Sequence, residues 1–170
     1  MNVIANTTVI SNFARIEQLD LLRQLHSTLY ISTAVYEEIQ TGLEEGYEFY
    51  ASIDEQIYPL ETGWIQLTSM RDDQEFRLFH ELPNRLHSGE ASSLAIAYHR
   101  QWHFMTDDRA ARTQAKQLGI SLSGSLGCLI LAIERHICTL EQANEWLARM
   151  IEQKYRSPVS DLTPLLNQSL

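Results

Sequence analysis

The sequence predicts an α/β fold: three layers, with a central, mostly parallel β-sheet flanked by helices. Three observations predict it. Short apolar runs of strand length alternate along the chain with longer segments of helical periodicity, as in successive βα units. The first such run, Val3-Ile4-Ala5, is apolar throughout, as a strand covered on both faces requires. Polar residues capable of chemistry fall just after strand candidates, where open parallel sheets form their functional crevice. A chain of 170 residues fits one domain with a substantial core. Residues 1–155 are expected to form it, followed by a loosely structured C-terminal tail, 156–170.

Asn6-Thr7-Thr8 ends the first strand. Ile10, Phe13, Ile16, Leu19, Leu22 and Leu25 then recur at a spacing of three, which predicts a helix with Ser11 or Asn12 available as its cap. Leu29-Tyr30-Ile31 is the second strand candidate. Ser32 or Thr33 can cap a helix from Ala34 to Gln40, with Gly42 to end it. Residues 43–58, acidic and aromatic, read as helical until Pro59 and Gly63 break them. Trp64 to Thr68 alternates like a strand, and a polar helix over 71–82 stops at Pro83-Asn84.

Ser88-Gly89-Glu90 opens an apolar helix, and His103 to Thr106 is a strand ending in Asp107-Asp108. An amphipathic helix runs from there to Gly119. Ile120-Ser121-Leu122 is short and apolar, and Gly124 turns the chain into a helix over 125–137. Thr139 caps a last helix, 140–154, with the stripe Ala143, Trp146, Leu147 and Met150.

Composition narrows the function classes. The chain is 44% hydrophobic and 21% charged, with a net charge of −9 from 22 acidic and 13 basic residues. Such a balance disfavours gripping nucleic acid over a broad basic face, but not an enzyme whose acids gather at a metal. No apolar run is long enough for a membrane span, and the N-terminus lacks the pattern of a secretory signal, so a cytoplasmic protein is expected. Cys128 and Cys138 match no zinc or redox spacing and read as buried thiols. His99 and His103 have a His-x-x-x-His spacing, but His103 opens a strand and no Glu follows His99, so no zinc site is expected. Neither a phosphate-binding Gly-rich loop with Lys nor a Gly-x-Ser-x-Gly elbow occurs.

The candidate functional residues are Asn6, Glu38, Glu90, Asp107 and Asp108. Each has an ordinary reading: a turn or cap for Asn6 and the two aspartates, a solvated helix acid for Glu38, a macrodipole-favoured position for Glu90. Their order along the chain gives them a joint meaning. Val3 to Ala14 resembles the opening of the PIN domain, the fold of VapC-type toxin ribonucleases, and is most similar to a poorly characterised prokaryotic branch. Val35-Tyr36-Glu37-Glu38-Ile39-Gln40-Thr41-Gly42, Gly89-Glu90-Ala91, Phe104 to Arg112, and Gly124-Ser125-Leu126-Gly127 resemble further PIN motifs in the same order. The likeness spans residues 3–135.

The resemblance implies a Mg²⁺- or Mn²⁺-dependent endoribonuclease of toxin–antitoxin type. Glu38, Glu90 and Asp108 would be metal ligands, direct or through water, Asp107 either a ligand or an acid behind them, and Asn6 a weak ligand. Thr7 and Ser125 would position water or phosphate, and Arg109, Arg112 and Lys116, on one helix, would hold the RNA. It also implies a homodimer and a small antitoxin partner. Asn6 departs from the family's Asp: an amide keeps one acceptor but loses the charge. The alternative is therefore a catalytically weakened or inactive PIN-fold module that binds RNA or protein.

Overall fold

The computed structural model describes residues 1–57 and 63–166. Five strands form one parallel sheet: β1 (Val3–Ala5), β2 (Leu29–Ser32), β3 (Ile65–Thr68), β4 (His103–Met105) and β5 (Leu122–Ser123). Their order is β3-β2-β1-β4-β5. The chain winds outward from β1 through β2 to β3, then crosses back to lay β4 and β5 on the other side of β1. Val3, Ile4 and Ala5 pair with His103, Phe104 and Met105, so the reversal of winding falls between β1 and β4. Crevices of open α/β sheets form at the carboxyl ends of such strand pairs.

Among the described residues the helices are α1 (Thr7–Arg15), α2 (Leu19–His26), α3 (Thr33–Glu44), α4 (Phe49–Ile57), α5 (Asp73–Glu81), α6 (Ser88–Arg100), α7 (Arg109–Gln117), α8 (Ser125–Glu134), α9 (Leu140–Glu152) and α10 (Thr163–Leu166). Strand alternation sorts the core in two. Val3, Ala5, Leu29, Ile31 and Met105 face Phe13, Leu22, Ile39, Ile53, Leu129 and Leu147. Ile4 and Phe104 face the opposite way, onto Leu94, Ile96, Ala111, Ala115 and Ile120. Both sheet faces are thus dry, which gives the three layers that the sequence predicts. On the second face α5 is tied to α6 by the Arg100–Glu75 ion pair, 2.6 Å long, with Arg100 also bonding Thr68 Oγ1 at 2.8 Å. Cys128 and Cys138 are free and buried, and burial pushes the Cys128 thiol up to about 12, with Asp107 adding to it. No helix among the described residues is long and apolar enough to cross a membrane.

Three expectations are corrected. The stripe from Ile10 to Leu25 is carried by two helices, not one. A step of three residues falls about 60° short of a full helical turn, so a strict spacing of three winds around a straight helix. The chain resets at Ile16–Gln18, with Glu17 at φ 59, and Asn6, not Ser11 or Asn12, caps α1. Gly42 lies inside α3 rather than ending it, and glycine is needed there because the Tyr50 ring packs where a Cβ would be. Gly46, at φ 90, supplies the left-handed stop instead. The segment after residue 155 is tied down within its described part, residues 156–166, rather than loose. Leu162 is 0% exposed, its N–H donates to Asn144 Oδ1 at 2.9 Å, and Asn144 Nδ2 donates to Asp161 at 3.0 Å. Pro59, expected to break the acidic segment, lies outside the described residues, as do the last four residues of the tail.

Candidate active site at the carboxyl edge of the sheet

β1 and β4 are only three residues each, so the residues that follow them emerge side by side. Asn6 is 1% exposed and caps α1. Its Oδ1 accepts from Thr8 N at 3.3 Å and Thr8 Oγ1 at 2.8 Å, and Thr8 Oγ1 accepts in turn from Asp107 N at 2.9 Å. The donor from Thr8 N fixes which end of the amide is oxygen. Asn6 Nδ2 is left buried with no hydrogen-bond partner among the described residues. The isosteric aspartate would present a second carboxylate oxygen at that place.

Asp107 is braced rather than free. Its oxygens accept from Ser125 N at 2.9 Å, from Ser125 Oγ, and from Asn12 Nδ2 at 2.9 Å, with the Tyr155 hydroxyl donating at 3.5 Å. Ser125 N belongs to the first turn of α8, so the carboxylate sits on the positive end of that helix. Burial, with Asp107 next, pushes the Tyr155 phenol above its usual range, keeping it a proton donor. Gly124 is required by this close approach: a Cβ there would lie 2.3 Å from Asp107 Oδ1.

On the other side of Asn6, Glu38 projects from α3. Its Oε2 accepts from Thr7 Oγ1 at 2.7 Å and its Oε1 from Gly89 N at 3.2 Å. Gly89 has no room for a side chain there, since a Cβ would lie 2.5 Å from Glu38 Oε1. Glu90, next in the chain, accepts from His87 N at 3.0 Å, and Asp108 caps α7 by accepting from Ala111 N at 2.7 Å. Burial holds the Glu90 carboxyl above its ordinary value. The His87 N–H bond opposes this, while the nearby charges of Asp108 and Glu38 add to it. Glu90 therefore feels the charge of both Glu38 and Asp108, and each of the three is hydrogen-bonded by neutral N–H or O–H donors.

A family model described as a PIN domain (DUF3368) matches residues 2–169. The chain belongs to the PIN-domain family. A comparison with curated proteins finds no match. PIN nucleases typically use divalent metals, and the donor chemistry of Glu38, Glu90 and Asp108 fits a hard cation: carboxylate oxygens with mutual repulsion to relieve. Their spacing is more open than a closed ligand set. Among the described residues no three His, Cys, Asp or Glu gather closely enough to hold one ion.

The other expected PIN residues divide. Thr7 orients Glu38, and it lines a cleft of about 650 Å³ together with Asp107, Asp108 and Arg109. Ser125 is buried with its hydroxyl on Asp107, so it braces the acid and is not presented to a substrate. Arg112 donates to the Thr106 carbonyl at 2.9 Å, which ties α7 to the end of β4. Lys116, exposed in the last turn of α7, lies outside the cleft lining. Sequence reasoning missed Ser11, Asn12, Arg15, Tyr50, Lys154, Tyr155 and Arg156, which complete the cleft wall. They come from α1, α4 and the turn after α9, and no motif joins them.

Proposed function

We propose that this PIN domain is a cytoplasmic Mg²⁺- or Mn²⁺-dependent endoribonuclease of the toxin type, controlled by a small antitoxin and acting as a homodimer. One observation carries the reading: Glu38 of α3 accepts from Thr7, next to Asn6, and from Gly89 N, next to Glu90, which gathers acids from separate helices at the carboxyl edge of the sheet, near the cleft that Asp108 lines. Because these acids do not form a closed ligand set, Glu38, Glu90 and Asp108 would hold the ion in part through water, with Asn6 beside them. When bound, it supplies activation of a water and offsets charge on the attacked phosphate. Thr7 holds the Glu38 carboxylate in place. Thr8 couples the end of β1 to the start of the Asp107 segment, and Ser125, Asn12 and Tyr155 hold Asp107 still.

A second reading has its own support. The orphaned Asn6 amide and the open spacing of the acids suit a PIN fold that binds RNA or protein without cutting it. Cleavage of a mixed RNA pool in Mn²⁺, Mg²⁺ or EDTA, for this chain and Asn6→Asp, separates the two. We expect metal-dependent cutting that EDTA abolishes, with Asn6→Asp faster by about tenfold or more, the scale on which loss of a metal-site partner acts. If neither protein cuts RNA in any metal, the ribonuclease reading fails and the binding module stands.

A further inference from the structure

Around the cleft, four cations gather on a chain whose net charge is −9: Arg15 at the end of α1, Arg109 at the start of α7, and Lys154 and Arg156 after α9. Three parts of the chain contribute them, and two of these parts, α1 and the turn after α9, are tied to each other. The Arg15 guanidinium lies 4.6 Å from the centre of the Phe49 ring and donates to the Gln153 carbonyl at 3.2 Å. Arg149 donates to the Ile16 carbonyl at 3.0 Å, so the turn after α9 is pinned to α1 from both sides.

Two further features single out this wall. Lys154 sits at φ 76, in the left-handed region, with Lys154 N on Ile151 O and Tyr155 N on Met150 O, both 3.0 Å. That pattern of bonds ends a helix at the position glycine normally takes. A lysine held there is strained, and strain at a cleft mouth points to a use for the side chain. Ser11, 6% exposed, lines the same cleft with an Oγ that has no hydrogen-bond partner among the described residues. It could bond a polar group that entered the cleft.

We infer that Arg15, Lys154 and Arg156, with Arg109 and Ser11, are the residues that bind the backbone of a single RNA strand and lead it to the acidic edge. The identity of the strand rests on the ribonuclease reading. Cations supply attraction to phosphates, and Tyr50 and Tyr155, half-buried in the same wall, offer faces on which bases can stack. An acidic peptide would use the cations but not the rings.

The test is binding of a labelled single-stranded oligouridylate in EDTA, so that no cleavage intervenes, by fluorescence polarisation over a range of salt. Lys154→Gly relieves the left-handed backbone, so its melting temperature should equal or exceed that of the parent. Its affinity should nevertheless fall several-fold, and its log–log salt slope should shrink by about 0.7, one phosphate contact. Arg156→Ala should weaken binding likewise, and Lys116→Ala, outside the cleft, should not. The inference is overturned if Lys154→Gly and Arg156→Ala bind as the parent does. It is equally overturned if no strand binds, if the matching duplex binds as tightly, or if polyglutamate displaces the strand as readily as unlabelled RNA. Failure to cut with Lys154-dependent binding would sink the nuclease reading alone; cutting with Lys154-independent binding would sink this inference alone.

Discussion

At the scale of single residues, the site is a set of carboxylates treated unequally by their surroundings. Asp107 receives four hydrogen bonds, two of them from Ser125, and is a fixed strut. Glu90 is buried beside two other acids, and burial holds it above its ordinary value. An acid whose pKa is raised on folding binds its proton more tightly in the folded state. Its contribution is most favourable in acid and is lost as pH rises from the ordinary glutamate range through the raised folded value. Glu90→Gln keeps an oxygen for the His87 N–H and removes the charge. We expect it to melt higher than the parent at neutral pH in EDTA, with the gain vanishing in acid. A pH series of thermal melts checks this; a gain independent of pH would show that ionisation is not its cause.

At the scale of elements, the junctions after strands decide where these residues go. Gly124 joins β5 to α8 with an extended backbone, so its need for glycine is not conformational. It is steric: a Cβ would meet Asp107 Oδ1 at 2.3 Å and Arg112 Nη1 at 3.0 Å. Asp107 cannot step aside without giving up bonds to Ser125 and Asn12. Gly124→Ala should therefore destabilise by about 1–3 kcal/mol, the usual cost of overpacking a close-packed site. Denaturant unfolding measures it, and a neutral result would mean that the Asp107 brace is softer than its bonds suggest. Chain order also made part of this legible. Gly89 before Glu90, and Gly124 before Ser125, stand out in the sequence, and each marks a place where an acid crowds the backbone.

At the scale of the whole molecule, charges of both signs meet at one cleft of an acidic chain. Carboxylates collect on the α3, α6 and α7 side of the carboxyl edge, while Arg15, Lys154 and Arg156 collect on the α1 and α9 side. A divalent cation that binds the folded state alone raises stability by mass action. Mg²⁺ or Mn²⁺ should therefore raise the melting temperature in a way EDTA reverses, more for Asn6→Asp than for the parent and less for Glu90→Gln. Thermal melts at increasing metal concentration report it. Equal or absent shifts in all three proteins would count against Glu38, Glu90 and Asp108 as the ion's holders.

The sequence by itself determined the α/β class, the positions of the first four strands, both of the buried thiols, and the order of motifs that places the chain among PIN domains, while the fifth strand, read at Ile120 to Leu122, lies at Leu122–Ser123. These follow from local rules: period, caps and turn residues act over a few neighbours and are written in the chain. The split of the first helix was also implicit, since a strict spacing of three cannot stay on one straight helical face. Only the tertiary structure decided the roles of Ser125 and Arg112, the packing of the tail through Leu162, and the membership of the basic wall. Arg15 and Lys154 are far apart in sequence and meet because α9 is pinned along α1 by Arg15 and Arg149. Contacts of that kind depend on how helices pack across a sheet face, which no local pattern encodes.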